Sequence, residues 1–303
     1  MRNLGKYKTY QGEGFGEIYR DLLIDLKYNP MYVASPRGQK INEITNCVFE
    51  LLNPRQSMYM NDRRSSQFAY IAAELVWYFM GREDLDFIKH YAKFWEILVN
   101  DDGTLNSAYG NLIFREENEY GYNQYKWAYD SLVKDKDSRQ AIMHFNKPSH
   151  QYEGNKDFVC TLNGVFMIRN DKLNFTIMIR SNDVILGLPT DIAFFTKLQE
   201  QMLNHLRSVY PELEMGKYTH IANSMHLYER NFELVNEMLK SEFHSLYSEP
   251  LEMNFINVKG QPMSELKKLH NQILFTQSFK TTEKIKYEVT DKLLQWIWDN
   301  IKK

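Results

Sequence analysis

Apolar residues recur at Ile18, Leu22, Leu23 and Leu26 within residues 14–28, the three-to-four spacing of one helix face. A turn-like stretch follows, Asn29-Pro30, then Ser35-Pro36-Arg37-Gly38, where proline and glycine mark a rigid loop. Residues 64–81 carry the strongest helix pattern of the chain: they begin at a serine pair, are apolar on most faces and stop at Gly81, which predicts a buried helix. Residues 86–98 and 122–134 read as further helices, with Asp101-Asp102-Gly103-Thr104 as a turn between them. The period then changes. Residues 141–145 read as a strand, and 158–169 with 173–180 as a hairpin around Asn170-Asp171. Residues 190–209 return to the helical pattern, short helices and strands alternate from 231, and an amphipathic helix covers 290–302. No repeat, low-complexity segment or flexible linker interrupts residues 1–303, so one catalytic domain is expected. The element order predicts an α/β (α+β) fold, a mixed sheet with helices packed on it.

Composition narrows the classes. Of 303 residues 43% are hydrophobic, enough for a substantial core, and 20 Tyr with 18 Phe favour large buried surfaces and flat ligands. A net charge of -2 gives no reason to expect a nucleic acid polymer as partner. Two cysteines, Cys47 and Cys160, make neither a secreted disulfide framework nor a metal site by themselves. The first residues hold no apolar signal segment, and no stretch is long enough to span a membrane. The expected location is cytoplasmic, in a bacterium or a phage-infected cell.

Candidate chemistry begins at Cys160, which lies between Val159 and Thr161 in a strand-like run. A lone cysteine is ordinarily a small hydrophobe; a reactive one needs a neighbouring cation to favour its thiolate. Arg180 is the candidate, because a hairpin turning at Asn170-Asp171 returns the next strand beside Cys160.

The segment from Arg180 sharpens this. Arg180-Ser181-Asn182-Asp183-Val184-Ile185-Leu186-Gly187-Leu188-Pro189-Thr190-Asp191-Ile192-Ala193 resembles the signature of the thymidylate synthase superfamily, R-S-x-D-x-x-L-G-x-P-x-N-I-A, at every fixed position but one. Glu74, in Ala73-Glu74-Leu75-Val76-Trp77, resembles the catalytic glutamate of that family's E-L-x-W helix. Arg37 resembles its phosphate-binding arginine. Trp95, Gly103 and Tyr109-Gly110 follow the order of its folate-side residues. Asp137-Ser138-Arg139 resembles its D-S-R-R loop, with Gln140 in place of the second arginine, and His226-Leu227-Tyr228 its sugar-holding H-x-Y. The motif match fades beyond about residue 235.

The resemblance implies a thymidylate synthase-like fold with one sheet face forming a homodimer interface. It implies a pyrimidine nucleoside monophosphate as substrate and a reduced folate, 5,10-methylenetetrahydrofolate, as co-substrate, with no metal. Cys160 would add to C6 of the pyrimidine, its thiolate favoured by Arg180. Glu74 would manage protons, with a pKa raised by burial. Arg37, Arg139, Arg180 and Ser181 would hold the phosphate, and His226 and Tyr228 the sugar. Trp95, Asp183, Gly187 and Glu74 would face the folate. Arg139 would be donated across a two-fold dimer.

Position 191 is the departure. The family's asparagine offers one donor and one acceptor, matching uracil O4 and N3–H. A carboxylate at Asp191 suits the exocyclic amine of cytosine instead, with one proton shared between cytosine N3 and Asp191. Such a polar mismatch discriminates by roughly 10⁴-fold. Asp at this position resembles the phage deoxycytidylate hydroxymethylases of the superfamily, in which water rather than hydride captures the transferred carbon. Open alternatives are a dUMP-specific synthase or hydroxymethylase with Asp191 as a mere helix N-cap, a CMP hydroxymethylase, and a non-catalytic nucleotide- or RNA-binding homologue. Val159 and Thr161 stand where synthases carry proline and histidine, so the water network around the ring should differ.

Overall fold

The computed structural model describes residues 8–279 and 291–301. In chain order the elements are β1 (Thr9–Gly12), α1 (Phe15–Tyr28), β2 (Tyr32–Ala34), β3 (Ile41–Leu51), β4 (Met58–Met60), α2 (Phe68–Phe79), α3 (Leu85–Ile88), α4 (Trp95–Leu98), α5 (Tyr109–Phe114) and α6 (Gln124–Lys134). Then come β5 (Ile142–His144), β6 (Thr161–Arg169), β7 (Lys172–Ile179), β8 (Asn182–Asp183), α7 (Leu188–Leu206), β9 (Glu214–Tyr228), α8 (Phe232–Leu239), β10 (His244–Leu246), α9 (Ser264–Phe279) and α10 (Lys292–Ile301). The fold is mixed α/β. Its contacts separate into two compact units, the first holding the described part of Met1–Gln67 with Cys160–Gln199 and Glu214–Ser248, the second holding Phe68–Val159, Glu200–Leu213 and the described part of Glu249–Lys303.

The first unit is built on a mixed sheet ordered β1-β3-β9-β7-β6, with β2 on β3 and β8 on β9. β3 runs antiparallel to β9, which runs parallel to β7. One sheet face is core: Phe49, Phe166, Phe175, Ile177 and Tyr218 are buried, and the rings of Phe166 and Phe175 stack at 4.0 Å. The other face, with Val165, Met167, Thr176, Met178 and Ile221, stays half-exposed in the single chain. Helix α1 closes the edge of this core by setting Phe15 and Tyr19 against Tyr59.

The hairpin turns where the sequence predicts it, but its first strand begins at Thr161, so Phe158, Val159 and Cys160 of the expected strand precede it. Asn170 (φ 51°) and Asp171 (φ 55°) both take left-handed backbone, the two-residue turn whose twist matches its strands. β3 and β9, the central strands, were not recognised from the pattern, and β3 shows why. Asn46 takes φ 50°, and the buried positions change from even (Asn42, Ile44) to odd (Cys47, Phe49, Leu51) across it. A strand whose alternation inverts midway gives no sustained period of two.

In the second unit α2 is buried along most of its length, as expected, but begins at Phe68. Ser65 and Ser66 are used in the preceding turn, accepting hydrogen bonds from the N–H groups of Asn61 (3.1 Å) and Tyr59 (3.0 Å). The helix expected over 86–98 is two short ones, α3 and α4. The helix expected over 122–134 starts at Gln124, behind a true cap in which Asn123 accepts from Lys126 N–H at 2.8 Å. The last helix spans Lys292–Ile301; residues 290 and 302 of the predicted segment lie outside the described residues.

Gly110 carries a packing constraint in this unit. α5 crosses so near the end of α2 that a Cβ at Gly110 would lie 1.9 Å from the main-chain oxygen of Tyr78. That approach lets Tyr109 stack on Tyr78 at 5.4 Å. Gly110→Ala is expected to destabilise the protein by about 1–3 kcal/mol or more, read as a lowered urea midpoint. An unchanged midpoint would show that the two backbones have room to part.

Candidate active site

Cys160 ends the stretch before β6, opposite Arg180 at the end of β7. The register of the hairpin shifts between Thr161 and Asn163, so one extra residue sits on the first strand. Beyond the bulge Cys160 faces Arg180: the Arg180 N–H donates to the Cys160 carbonyl at 2.9 Å, and Arg180 Nη2 donates to Cys160 Sγ at 3.4 Å. The thiol is half-buried and touches the Arg180 guanidinium, a cation that favours a thiolate. Cys47 is the contrast. It is wholly buried in β3, and desolvation pushes its thiol up to about 12, so it stays protonated. Neither cysteine is in a disulfide.

The signature segment runs from Arg180 into α7. Asp183 pairs beside His226 of β9, and its Oδ1 accepts the N–H groups of Ile185 (2.8 Å) and Leu186 (3.3 Å). Gly187 then starts the turn into α7, its carbonyl accepting the Asp191 N–H at 3.0 Å. Asp191 therefore lies inside the first turn of α7 rather than at its N-cap, which corrects the bland reading of this residue as a cap. Asp191 is half-buried, and its Oδ2 accepts a hydrogen bond from Asn182 Nδ2 at 2.8 Å. Desolvation, offset in part by that donor, raises the carboxyl from its ordinary range to about 7.

His226 and Tyr228 meet edge-on at 5.1 Å near the end of β9. Burial holds His226 below its ordinary pKa, so the ring is neutral near pH 7. The guanidinium of Arg230 lies 3.9 Å over the Tyr228 ring. Arg37 sits in the short 3₁₀ turn Pro36–Gly38 with φ 51°, an exposed side chain on strained backbone. Ser181 is half-buried beside Arg180.

The second unit holds Glu74, Trp95 and Arg139. Glu74 is buried on α2, where the Tyr70 hydroxyl donates to Oε1 at 2.5 Å and the Tyr78 hydroxyl reaches the same oxygen at 3.4 Å. Both tyrosines lie four residues from Glu74, one on each side, the spacing of neighbours on one helix face. Trp95 Nε1–H donates to the Tyr70 hydroxyl at 3.0 Å, and its ring packs on Trp77 at 5.4 Å. Trp95 is thus joined to Glu74 through Tyr70, and only 5% of its surface is exposed. Arg139 is exposed on a loop, after a buried Ser138 whose hydroxyl accepts the Gln140 N–H at 3.1 Å.

Reasoning from sequence missed Tyr70, Asn182, Tyr218 and His220. Asn182 fills the variable place of R-S-x-D, and the others are polar groups inside buried elements, where pattern reading looks for apolar side chains. Among the described residues no cluster of three or more His, Cys, Asp or Glu is placed to hold a metal, and no helix is long and apolar enough to cross a membrane.

The family model described as thymidylate synthase matches residues 19–290, further than the motifs alone extend. A deoxycytidylate 5-hydroxymethyltransferase of Enterobacteria phage T6 is 31% identical over 220 residues, covering 69% of this chain and 85% of the relative. A deoxyuridylate hydroxymethyltransferase of Bacillus phage SP01 is 29% identical over 231 residues, 73% of this chain and 58% of that protein. A thymidylate synthase of Francisella philomiragia is 23% identical over 233 residues, 73% and 80%. The match over residues 19–290, together with the signature segment running into α7, shows that this chain belongs to the thymidylate synthase family, whose enzymes use a reduced folate to transfer one carbon to C5 of a pyrimidine nucleotide.

Proposed function

We propose that this protein is a deoxycytidylate hydroxymethylase, a single catalytic domain that converts dCMP, 5,10-methylenetetrahydrofolate and water to 5-hydroxymethyl-dCMP and tetrahydrofolate. The observation that carries the reading is Asp191: a half-buried carboxyl, raised to about 7 by desolvation, at the signature position where the family consensus has asparagine.

The residues support the chemistry step by step. The Cys160 thiolate, favoured by Arg180, adds to C6 and makes C5 nucleophilic. The reduced folate supplies the one-carbon unit as an electrophilic methylene. C5 bonds to that carbon, then loses its proton as the bond from the carbon to the folate nitrogen breaks, releasing tetrahydrofolate and leaving an exocyclic methylene; Glu74, held by two tyrosine hydroxyls, manages the protons at nitrogen and at C5. Water then adds its oxygen to the exocyclic methylene as the C6–S bond breaks and the thiolate leaves. No hydride moves, so tetrahydrofolate departs unoxidised. Arg37, Arg180, Arg139 and Ser181 are donors suited to a phosphate, and His226 and Tyr228 to a sugar hydroxyl. On the folate side, with Glu74, Trp95 and Gly187, Asp183 engages Oδ1 with its own loop, which leaves Oδ2 as the acceptor for a pterin N–H. The half-exposed apolar face of the sheet supports a homodimer in which Arg139 serves the partner subunit's phosphate site.

The proton on Asp191 is central to base choice. Cytosine N3 accepts and N4 donates, so a carboxyl complements this edge only when the pair holds one extra proton. A group titrating near 7 carries that proton at working pH.

Tritium release from 5-tritiated dCMP, and not from dUMP, is the expected result with methylenetetrahydrofolate; Cys160→Ala is expected to abolish release while dCMP binding persists. Release from dUMP alone, or formation of dihydrofolate, would contradict the reading. The protonation argument adds a pH dependence. Asp191 is protonated below about 7, so dCMP affinity, taken relative to Asp191→Asn, is expected to be flat there and to weaken by up to tenfold per pH unit above it. Calorimetric titrations from pH 5.5 to 9 check this, and a flat ratio over the whole range would contradict it.

A further inference from the structure

Three side chains behind Asp191 form a continuous line of hydrogen bonds. Asn182 Nδ2 lies 2.8 Å from Asp191 Oδ2, Asn182 Oδ1 lies 3.0 Å from His220 Nε2, and His220 Nδ1 lies 2.9 Å from the Tyr218 hydroxyl. All three are buried: Asn182 is 3% exposed, and His220 and Tyr218 are 0% exposed. The Phe49 ring stacks on His220 at 4.9 Å and 9°, which fixes the plane of the imidazole. Gly187 leaves room above the first of these bonds: a Cβ there would come within 3.0 Å of Asn182 Nδ2.

The direction of the line follows from the chemistry of its members. Burial lowers the His220 pKa to about 3, so the ring is neutral and carries one N–H. With Asn182 donating its amide N–H to the carboxyl, its carbonyl oxygen can only accept, so His220 Nε2 bears the hydrogen. Nδ1 is then an acceptor and takes the Tyr218 O–H. Burial also holds the Tyr218 pKa far above its ordinary value, so that hydroxyl keeps its proton. Every donor in the line points toward Asp191.

This direction matters because a protonated carboxyl is not selective by itself. Its hydroxyl and carbonyl sides can exchange. One arrangement complements cytosine, with O–H to N3 and carbonyl to the N4 amine; the other complements uracil, with carbonyl to N3–H and O–H to O4. Resting on the reading of Asp191 as the base-facing group, we propose that Tyr218, His220 and Asn182 are positioning residues that hold Oδ2 of Asp191 as an acceptor. The shared proton is thereby confined to Oδ1, and with Oδ1 taken in this proposal to face ring N3 and Oδ2 the 4-substituent, the carboxyl is selective for a 4-aminopyrimidine. None of the three touches the reacting atoms. They act through Asp191, and Asn182 is the link that an amide flip would reverse.

Two measurements on the intact protein test this. The first needs no substrate: nitrogen NMR of histidine-labelled protein, with His220 assigned by His220→Gln. The expected state is a neutral ring with its hydrogen on Nε2 throughout pH 5 to 8. A hydrogen on Nδ1, or a charged ring, overturns the relay. The second compares tritium release from dCMP and dUMP in Tyr218→Phe and Asn182→Leu. Loss of one buried hydrogen bond is expected to lower the dCMP:dUMP ratio of kcat/KM by about 5- to 100-fold, more for Asn182→Leu. General damage to the fold lowers both substrates together and leaves the ratio unchanged, and that result in both variants overturns the proposal. Tyr218→Phe removes a single hydroxyl and keeps the ring, so the test stands even where Asn182→Leu does not fold. If the wild type itself prefers dUMP, the base assignment fails on that result alone, while the NMR state of His220 still decides the direction of the line.

Discussion

A carboxyl drawn partly out of water, with an amide N–H beside it, loses hydration that would keep it ionised at its ordinary pKa. Asp191 is in that position, and the functional account depends on it. The first turn of α7 holds the group in place, with the Asp191 N–H on the Gly187 carbonyl, and the donor from Asn182 offsets the desolvation only in part. The outcome is a group whose protonation changes near neutrality. In a family whose consensus at this position is an amide, that property is the one on which the proposed choice of pyrimidine rests.

The proposed covalent chemistry rests on a different constraint, the register of a hairpin. The left-handed pair Asn170-Asp171 fixes the turn, and the bulge after Thr161 fixes which residue of the first strand faces Arg180. Slipping by one residue would turn Cys160 to the other face of the strand and away from its cation. The two cysteines show how much environment decides. Cys47, closed in by β3 and its neighbours, is pushed up to about 12 and is inert, whereas the Cys160 sulfur lies 3.4 Å from a guanidinium nitrogen.

Much of this was legible in the sequence because it was encoded locally. The amphipathic spacing of α1, the apolar run of α2, the turn at Asn170-Asp171 and the fixed types of the signature segment are short-range signals. The strands β3 and β9 were not legible. In β3 the alternation inverts at Asn46, and β9 buries His220 and His226 where an apolar residue would have marked the inward face. The same buried polarity hid Asn182, Tyr218 and Tyr70, whose meaning lies in partners distant in sequence or on the neighbouring turn of a helix. Asp191 was legible as a departure from a motif, but its partial burial and its raised pKa follow only from the fold.

The most direct test of the central claim is the titration of Asp191 itself, followed by the chemical shift of its side-chain carboxyl carbon in aspartate-labelled protein, with Asp191→Asn used for assignment. A midpoint near 7 is the predicted result. A midpoint near 4, the ordinary range of a solvated aspartate, would mean the carboxyl is ionised throughout the working range and cannot bring the proton on which base selection depends.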